Sequence, residues 1–360
     1  MGAKILNRGM KMDSRELTLT AIEGIPDRVP FNPFIMHLAA AVDGIDYSNV
    51  YCKNAAVLAE AQMRFADSFG IDHVHVSTDA YREASAWGVE VDFSGHTPVP
   101  KKHLTMDDFD SVEEPDLNSA IRIQNRIEAV RLLSGKVGSK QCVVGWIEAP
   151  FAEICCLFGL MEVLKMARYE DWNERVSSLI SRIMSIQNEF AEMQIEAGAD
   201  VIGAGDSAVS QIGPKRFEEA CLESTQGLFS EIRKRVPVLY HVCGNSSAID
   251  KDGRDMLKLV ADSGSSILDI DYQVDLHAAK QKVGQSVCLR GNTNTALLGD
   301  RAYSSAEVTS KIVECVEAGK PGGRYMYSAG CEWPWEPLEL ATNNLRIAKK
   351  LVDREGVYLR

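Results

Sequence analysis

Short apolar runs alternate with longer amphipathic ones along this chain, and that alternation limits the fold more than any other feature. Eight runs are rich in β-branched and aromatic residues: RVPFNPF (28–34), IDHVHV (71–76), CVVGWIE (142–148), ADVIGAGD (199–206), VPVLYHVC (236–243), SSILDID (265–271), SVCLRGN (286–292) and RYMYSAG (324–330). Several are almost continuously apolar, as expected of parallel strands covered on both faces. Between them lie stretches of helical period: NAAVLAEAQMRFADSFG, NSAIRIQNRIEAVRLLSG, WNERVSSLISRIMSIQNEFAEMQIEAG, PKRFEEACLESTQGLFSEIRKR, RDMLKLVADSG and SAEVTSKIVECVEAG. Several end in Gly, a common helix stop. Eight strands alternating with helices predict an α/β fold of the (β/α)8 TIM-barrel type. A doubly wound sheet is the competing arrangement, but no G-x-G-x-x-G follows the first strand.

No internal repeat, low-complexity block or linker interrupts the pattern, so residues 1–360 are expected to form one domain with an elaborated N-terminal segment and long βα loops. The segment 77–120 is mixed in character and is expected to be such a loop over the active face. The formal net charge of −12 argues against nucleic acid as a partner, because phosphate binding needs a basic face. The opening residues MGAKILNRGMKMDSREL carry no apolar core of a secretory signal. No apolar run approaches the ~18 residues of a membrane helix. The expectation is a cytoplasmic protein without a membrane partner. Nine Cys at scattered spacings do not suggest a disulfide framework in such a chain, so most should be buried thiols.

In a barrel the chemistry sits at the C-terminal ends of the strands. The residues there are Asp79 and Glu83 beyond strand 2, Glu148 on strand 3, Asp206 on strand 4, His241 and Cys243 on strand 5, Asp269 and Asp271 on strand 6, Gly291 and Asn292 on strand 7, and Cys331 after strand 8. His241 and Cys243 are two apart on a strand and face the same way. With Cys331 they make three N/S donors and an open fourth position, the pattern of a catalytic zinc. The alternative is two core residues and a loop thiol. Asp269 and Asp271 also share a face, and either could lend an oxygen to a metal or orient His241. Gly291-Asn292 reads equally as a tight turn. Asp79 and Glu83 are candidates for substrate contact, or for pairing with Arg82 and Lys101. His73 and His75 could bind a metal but fit a packed strand better. Trp333 and Trp335 are expected either to pack the mouth or to wall a substrate.

Seven segments carry a family resemblance: PDRVPFNPF (26–34), AYREASAWGVEVDF (80–93), GADVIGAGDSAVSQIGPKRFEE (198–219), VLYHVCGNSS (238–247), LDIDYQVDL (268–276), LRGNTNTALL (289–298) and GGRYMYSAGCEWPWEPLELATNNL (322–345). They span nearly the whole chain. The sequence resembles the uroporphyrinogen decarboxylase superfamily, and within it the zinc-dependent, corrinoid-linked methyltransferases. The decarboxylases of that superfamily carry an Arg-rich motif that grips substrate carboxylates. Here the equivalent region reads VPFNPFIMHLAAAV, without an Arg. The methyltransferase branch instead has His-x-Cys on strand 5 and a Cys after strand 8, matched by His241-Val242-Cys243 and Gly330-Cys331.

The resemblance implies one zinc ion per chain, held by His241, Cys243 and Cys331, with Asp271 near the metal; Asp206 and Glu148, read from their strand ends, are further catalytic candidates. Asp79, Glu83, Asn292, Trp333 and Trp335 are the candidate substrate-binding residues. Glu332, Trp333 and Trp335 depart from the small and Pro-rich residues of that branch, so the substrate is expected to differ. The Asp-x-His-x-x-Gly signature of a corrinoid carrier is missing, so the methyl-corrinoid would come on a separate corrinoid protein. The implied reaction moves a methyl group between that cobalt and a small donor or acceptor, such as an aryl methyl ether or a thiol like coenzyme M. The alternatives are a cofactor-free decarboxylase and a non-catalytic barrel that binds a corrinoid protein.

Overall fold

Seven of the eight apolar runs form parallel strands of one sheet. The computed structural model describes residues 12–166 and 171–359. Its strands are β1 (His73–His75), β2 (Glu90–Asp92), β3 (Val99–Lys102), β4 (Cys142–Glu148), β5 (Val201–Asp206), β6 (Val238–Val242), β7 (Ile267–Ile270), β8 (Cys288–Thr293) and β9 (Tyr325–Ala329). The sheet runs β1-β4-β5-β6-β7-β8-β9, while β2 and β3 form a separate antiparallel pair. Every residue of β4 through β9 is buried. This is the reason their sequences are almost continuously apolar.

The first run, 28–34, is a stave without a regular ladder, which corrects its reading as a strand. Pro30 and Pro33 supply no N–H, so continuous pairing is impossible. The segment still closes the barrel. Asn32 N donates to the Tyr327 carbonyl at 2.9 Å and Tyr327 N to the Pro30 carbonyl at 2.9 Å, while on the other side Asp72 N donates to the Phe31 carbonyl at 3.0 Å. Asp72 clamps this seam. Its carboxylate accepts from both terminal nitrogens of Arg28 at 2.7 Å, from Phe31 N at 2.7 Å and from Ser14 Oγ at 2.6 Å. The result is a (β/α)8 barrel whose eighth stave is held by side chain and backbone together.

The helices follow their end signals. Asn54 caps Ala55–Phe69 by accepting from Ala56 N and Val57 N, and Gly70 ends it in the left-handed region at φ 67°. Ser304 and Glu307 form a reciprocal capping box on Ser305–Gly319. The stretch read as one helix from Pro214 divides at Cys221 into Gly213–Ala220 and Leu222–Ile232. Pro150–Phe158 has no sequence signal because all of its residues are buried, which leaves no polar face to set a period. The segment 77–120 is a long βα excursion that carries the β2–β3 pair and the short helix Arg82–Ala86. Among the described residues, no helix is long and apolar enough to cross a membrane.

Removing one partner of a buried ion pair strands the other charge, at a cost of about 3 kcal/mol. Asp72→Ala is therefore expected to lower unfolding stability by about that amount. Urea denaturation beside wild type measures it, and an unchanged midpoint would refute the role of Asp72 at the seam.

Candidate metal centre

His241 lies on β6 and Cys243 one residue beyond its end, so the two-residue period of the strand turns both towards the barrel mouth. Cys331 follows β9 and Gly330. A Cβ at Gly330 would stand 2.2 Å from Tyr272 N, so only glycine lets this loop pass close enough to bring Cys331 in. Gly244, at φ 87°, turns the chain away directly after Cys243. The Nε2 of His241 and the two sulfurs all lie within 4.8 Å of one another. Cys243 Sγ is 3.6 Å from Cys331 Sγ, and Cys331 Sγ is 3.8 Å from His241 Nε2.

These distances fit a tetrahedral metal. Zinc bonds of about 2.3 Å to sulfur and about 2.0–2.1 Å to nitrogen put two sulfurs about 3.8 Å apart and a sulfur and nitrogen about 3.5 Å apart. The ring orientation fits as well. His241 Nδ1 lies 2.7 Å from Asp269 Oδ2, and Arg290 Nη1 donates to the same oxygen at 2.6 Å. Arg290 Nε donates in turn to the Asn32 carbonyl at 2.9 Å. Arg290 already neutralises Asp269, so a neutral His241 can donate from Nδ1 and leave the Nε2 lone pair facing the sulfurs. Without a cation, burial opposes charge on His241, but Asp269 overrides it and pushes the imidazole up to about 10. The hydrogen bond from Cys331 lowers Cys243, and the same contact raises Cys331. The thiols thus lose their protons in turn, and a metal would displace both.

Comparison with known proteins agrees with this fold. Residues 13–343 match the family described as uroporphyrinogen decarboxylase (URO-D). The chain belongs to the uroporphyrinogen decarboxylase family. A uroporphyrinogen decarboxylase of Citrifermentans bemidjiense is 26% identical over 280 residues, covering 75% of this chain and 78% of its own. One from Geotalea uraniireducens is 24% identical over 306 residues, covering 83% of this chain and 86% of its own. Among solved structures, a methyltransferase from Methanosarcina mazei superposes with a TM-score of 0.82 at 20% identity, covering 95% of this chain and 99% of its own. That likeness concerns the fold.

The other candidate residues of this family member are divided by the structure. Asp271 has Oδ2 3.8 Å from Cys243 Sγ and accepts from Gly244 N at 3.0 Å and, through Oδ1, from Gln273 N at 2.9 Å. Asp206 is occupied locally: it accepts from Ala208 N and Val209 N, each at 3.0 Å, and from Tyr240 Oη at 3.2 Å. Burial pushes it up to about 6. Asn292 ends no turn. It lies within β8 and donates to the carbonyls of Asp271 at 3.0 Å and Val274 at 2.7 Å, holding the loop after β7.

The Asp79 carboxylate pairs with Arg122 at 2.5 Å and Lys101 with Glu90 at 2.5 Å, while Arg82, an expected partner, donates to the Asp79 carbonyl and lies 4.0 Å from Glu83 Oε2. Glu83 accepts from Glu148 N at 3.0 Å, and Glu148 takes Arg82 at 2.9 Å. Trp333 is fully buried and donates to the Ala341 carbonyl, a packing role instead of a wall. Trp335 stacks on His37 at 5.5 Å and lines a cavity of about 500 Å³ with Tyr47 and His96. His73 and His75 are packed: His73 Nε2 bonds the Pro33 carbonyl at 3.0 Å, and Ile35 N donates to His75 Nε2 at 3.1 Å. Burial lowers His73 to about 3.

Arg290 and Phe34 had no assigned role in the sequence. Arg290 is signalled there only as a charge within an apolar strand. Phe34 has its ring 5.6 Å from that of His241 and leaves no individual signal.

Replacing the carboxylate behind a metal-bound imidazole weakens binding by about 10–100-fold. Cobalt(II) titration followed by thiolate charge-transfer absorption should give that loss for Asp269→Asn. In wild type, affinity should fall as pH is lowered, since two thiols and one imidazole must release protons to bind. Equal affinity in the variant would show that Asp269 does not set the ring.

Proposed function

We propose that this chain is a zinc-dependent methyltransferase that moves a methyl group between a small substrate and the cobalt of a separate corrinoid protein. The observation that carries the reading is the His241, Cys243 and Cys331 triangle, with its imidazole oriented by Asp269 and Arg290. When bound there, zinc would act as a Lewis acid on the substrate heteroatom, holding a thiol as thiolate or polarising an ether oxygen. Both directions of transfer need that one property.

The chain's own groups divide the remaining work. Cys243 and Cys331 are half-buried, so a small molecule can reach them from the mouth. Asp271 stands beside Cys243 and is fixed by two backbone N–H groups, which favours a carboxylate held ready near the open position. In this reading Trp335 offers its ring to an apolar part of the substrate in the cavity that it lines with His37 and Tyr47. The corrinoid protein docks over the mouth, and the protein works in the cytoplasm.

Decarboxylation is the second reading, favoured by the names of the curated relatives. Against it stands the Arg-free segment VPFNPFIMHLAAAV, and a cofactor-free decarboxylase has no use for two thiols facing an imidazole.

Elemental analysis of the purified protein is expected to give about one zinc per chain, lost in His241→Ala. Cys243→Ser should abolish methyl transfer to or from a corrinoid protein, while Cys315→Ser should leave it nearly unchanged. A chain that neither contains nor takes up zinc would refute the methyltransferase reading, and decarboxylation of a porphyrinogen by that chain would establish the second.

A further inference from the structure

Away from the three metal donors, the mouth-side ends of β1 and β4 hold a buried cluster of charge. Glu83, Glu148 and Glu153 are 1%, 6% and 0% exposed. Arg82 stands among them, with Nη2 2.9 Å from Glu148 Oε1 and 4.0 Å from Glu83 Oε2. The neighbouring cations are engaged elsewhere, Arg122 by Asp79 and Arg126 by the Thr78 hydroxyl. Both oxygens of Glu153 and Oε2 of Glu83 lack a hydrogen-bond partner.

Three carboxylates around one guanidinium leave two negative charges uncompensated if all are ionised. Buried carboxyl groups in that position retain protons. Burial pushes Glu148 up to about 8 and Glu83 up to about 7, and holds Glu153 well above the usual carboxylate range. The groups facing Glu148 are Asp79, Tyr81, Arg82 and Glu83 from the segment after β1, and Glu153 and Cys156 from Pro150–Phe158.

Glu148 differs from the other two acids in its outlook. It is 6% exposed, and its carboxyl lies across β5 at Gly205, where a Cβ would stand 2.8 Å from Oε2. Gly205 is in register with Glu148 on one side and with His241 on the other. The carboxyl therefore reaches over a strand position that has no side chain, towards the neighbouring strand about 4.8 Å away that carries the His241 imidazole.

We propose that Glu148, backed by Glu83 and Glu153 as positioning residues, exchanges a proton with the substrate heteroatom during methyl transfer; this rests on the methyltransferase reading above. With an ether donor, the O–CH3 bond breaks, an electron pair of Co(I) forms the Co–CH3 bond of Co(III), and the leaving oxygen keeps its pair and takes the Glu148 proton. With a thiol acceptor, the S–H proton goes to the Glu148 carboxylate, the sulfur pair forms the S–CH3 bond, and the Co–C pair returns to cobalt as Co(I).

The test is an infrared pH titration of the zinc-loaded protein, with the pH profile of methyl transfer measured on the same samples. Among the protonated carboxyl bands expected at pH 7, the one that fades as pH rises through about 8 should be missing from Glu148→Gln, while that of Glu153 remains. That variant should keep its zinc and transfer methyl about 10²-fold more slowly or worse. Glu83→Gln keeps the contact to Glu148 N and removes a negative charge, so it should move the break in the profile to lower pH. A carboxyl spectrum at pH 7 that is the same in wild type and Glu148→Gln overturns the proposal. So does methyl transfer by Glu148→Gln at the wild-type rate with the wild-type profile, which leaves the methyltransferase reading standing. If the carboxyl band is present but the chain holds no zinc and moves no methyl group, the methyltransferase reading falls and the proton-exchange role falls with it.

Discussion

The guanidinium of Arg290, buried in the barrel, is answered by the Asp269 carboxylate, and that pairing organises the interior around the candidate metal ligands. Arg290 and Asp269 neutralise each other at 2.6 Å, and the same carboxylate oxygen fixes His241. The Asn32 carbonyl takes another nitrogen of Arg290, which ties the proline-interrupted stave to the sheet. One chain of hydrogen bonds thus joins the seam of the barrel to its candidate metal ligand. An ion pair this deep is weak evidence for stability, because desolvation offsets most of its attraction. Its consequence here is specificity: it selects one tautomer of one imidazole.

Around this chain the interior is packed unevenly, and glycine makes the unevenness possible. A Cβ on Gly203 would stand 2.3 Å from the Trp146 ring, and one on Gly205 would meet the Glu148 carboxyl. At positions 203 and 205 β5 thus carries no side chain, so that two large groups of β4 can lie across it. Phe34 fills the space between, with its ring 4.8 Å from Trp146 and 5.6 Å from His241. The mouth is therefore divided into a side on β6 and β9 with the three candidate metal donors and an acidic side on β1 and β4.

Most of the architecture was legible because its signals are local. Apolar runs bounded by Gly and Asn mark strands, and a capping box marks the start of Ser305–Gly319. The failures were also physical. The run at 28–34 has the composition of a strand, but its two prolines deny it a ladder. Pro150–Phe158 is buried on all sides and lacks a period. Asn292 followed a glycine and resembled a turn, yet it sits inside β8. Trp333 and Trp335 looked equivalent, but the first packs under the last helix and the second borders a cavity.

By itself the sequence determined the number and order of the staves, the rim on which chemistry-bearing residues gather, and the spacing that turns His241 and Cys243 the same way. These depend on the period of a strand and on the composition of short runs. Only the tertiary structure decided that Cys331 meets them, that Asp269 and not Asp271 orients His241, and that Arg122, distant in the chain, claims Asp79. Those outcomes rest on register between strands and on which charge lies within about 3 Å of which. Partners far apart in sequence leave no periodic trace in it.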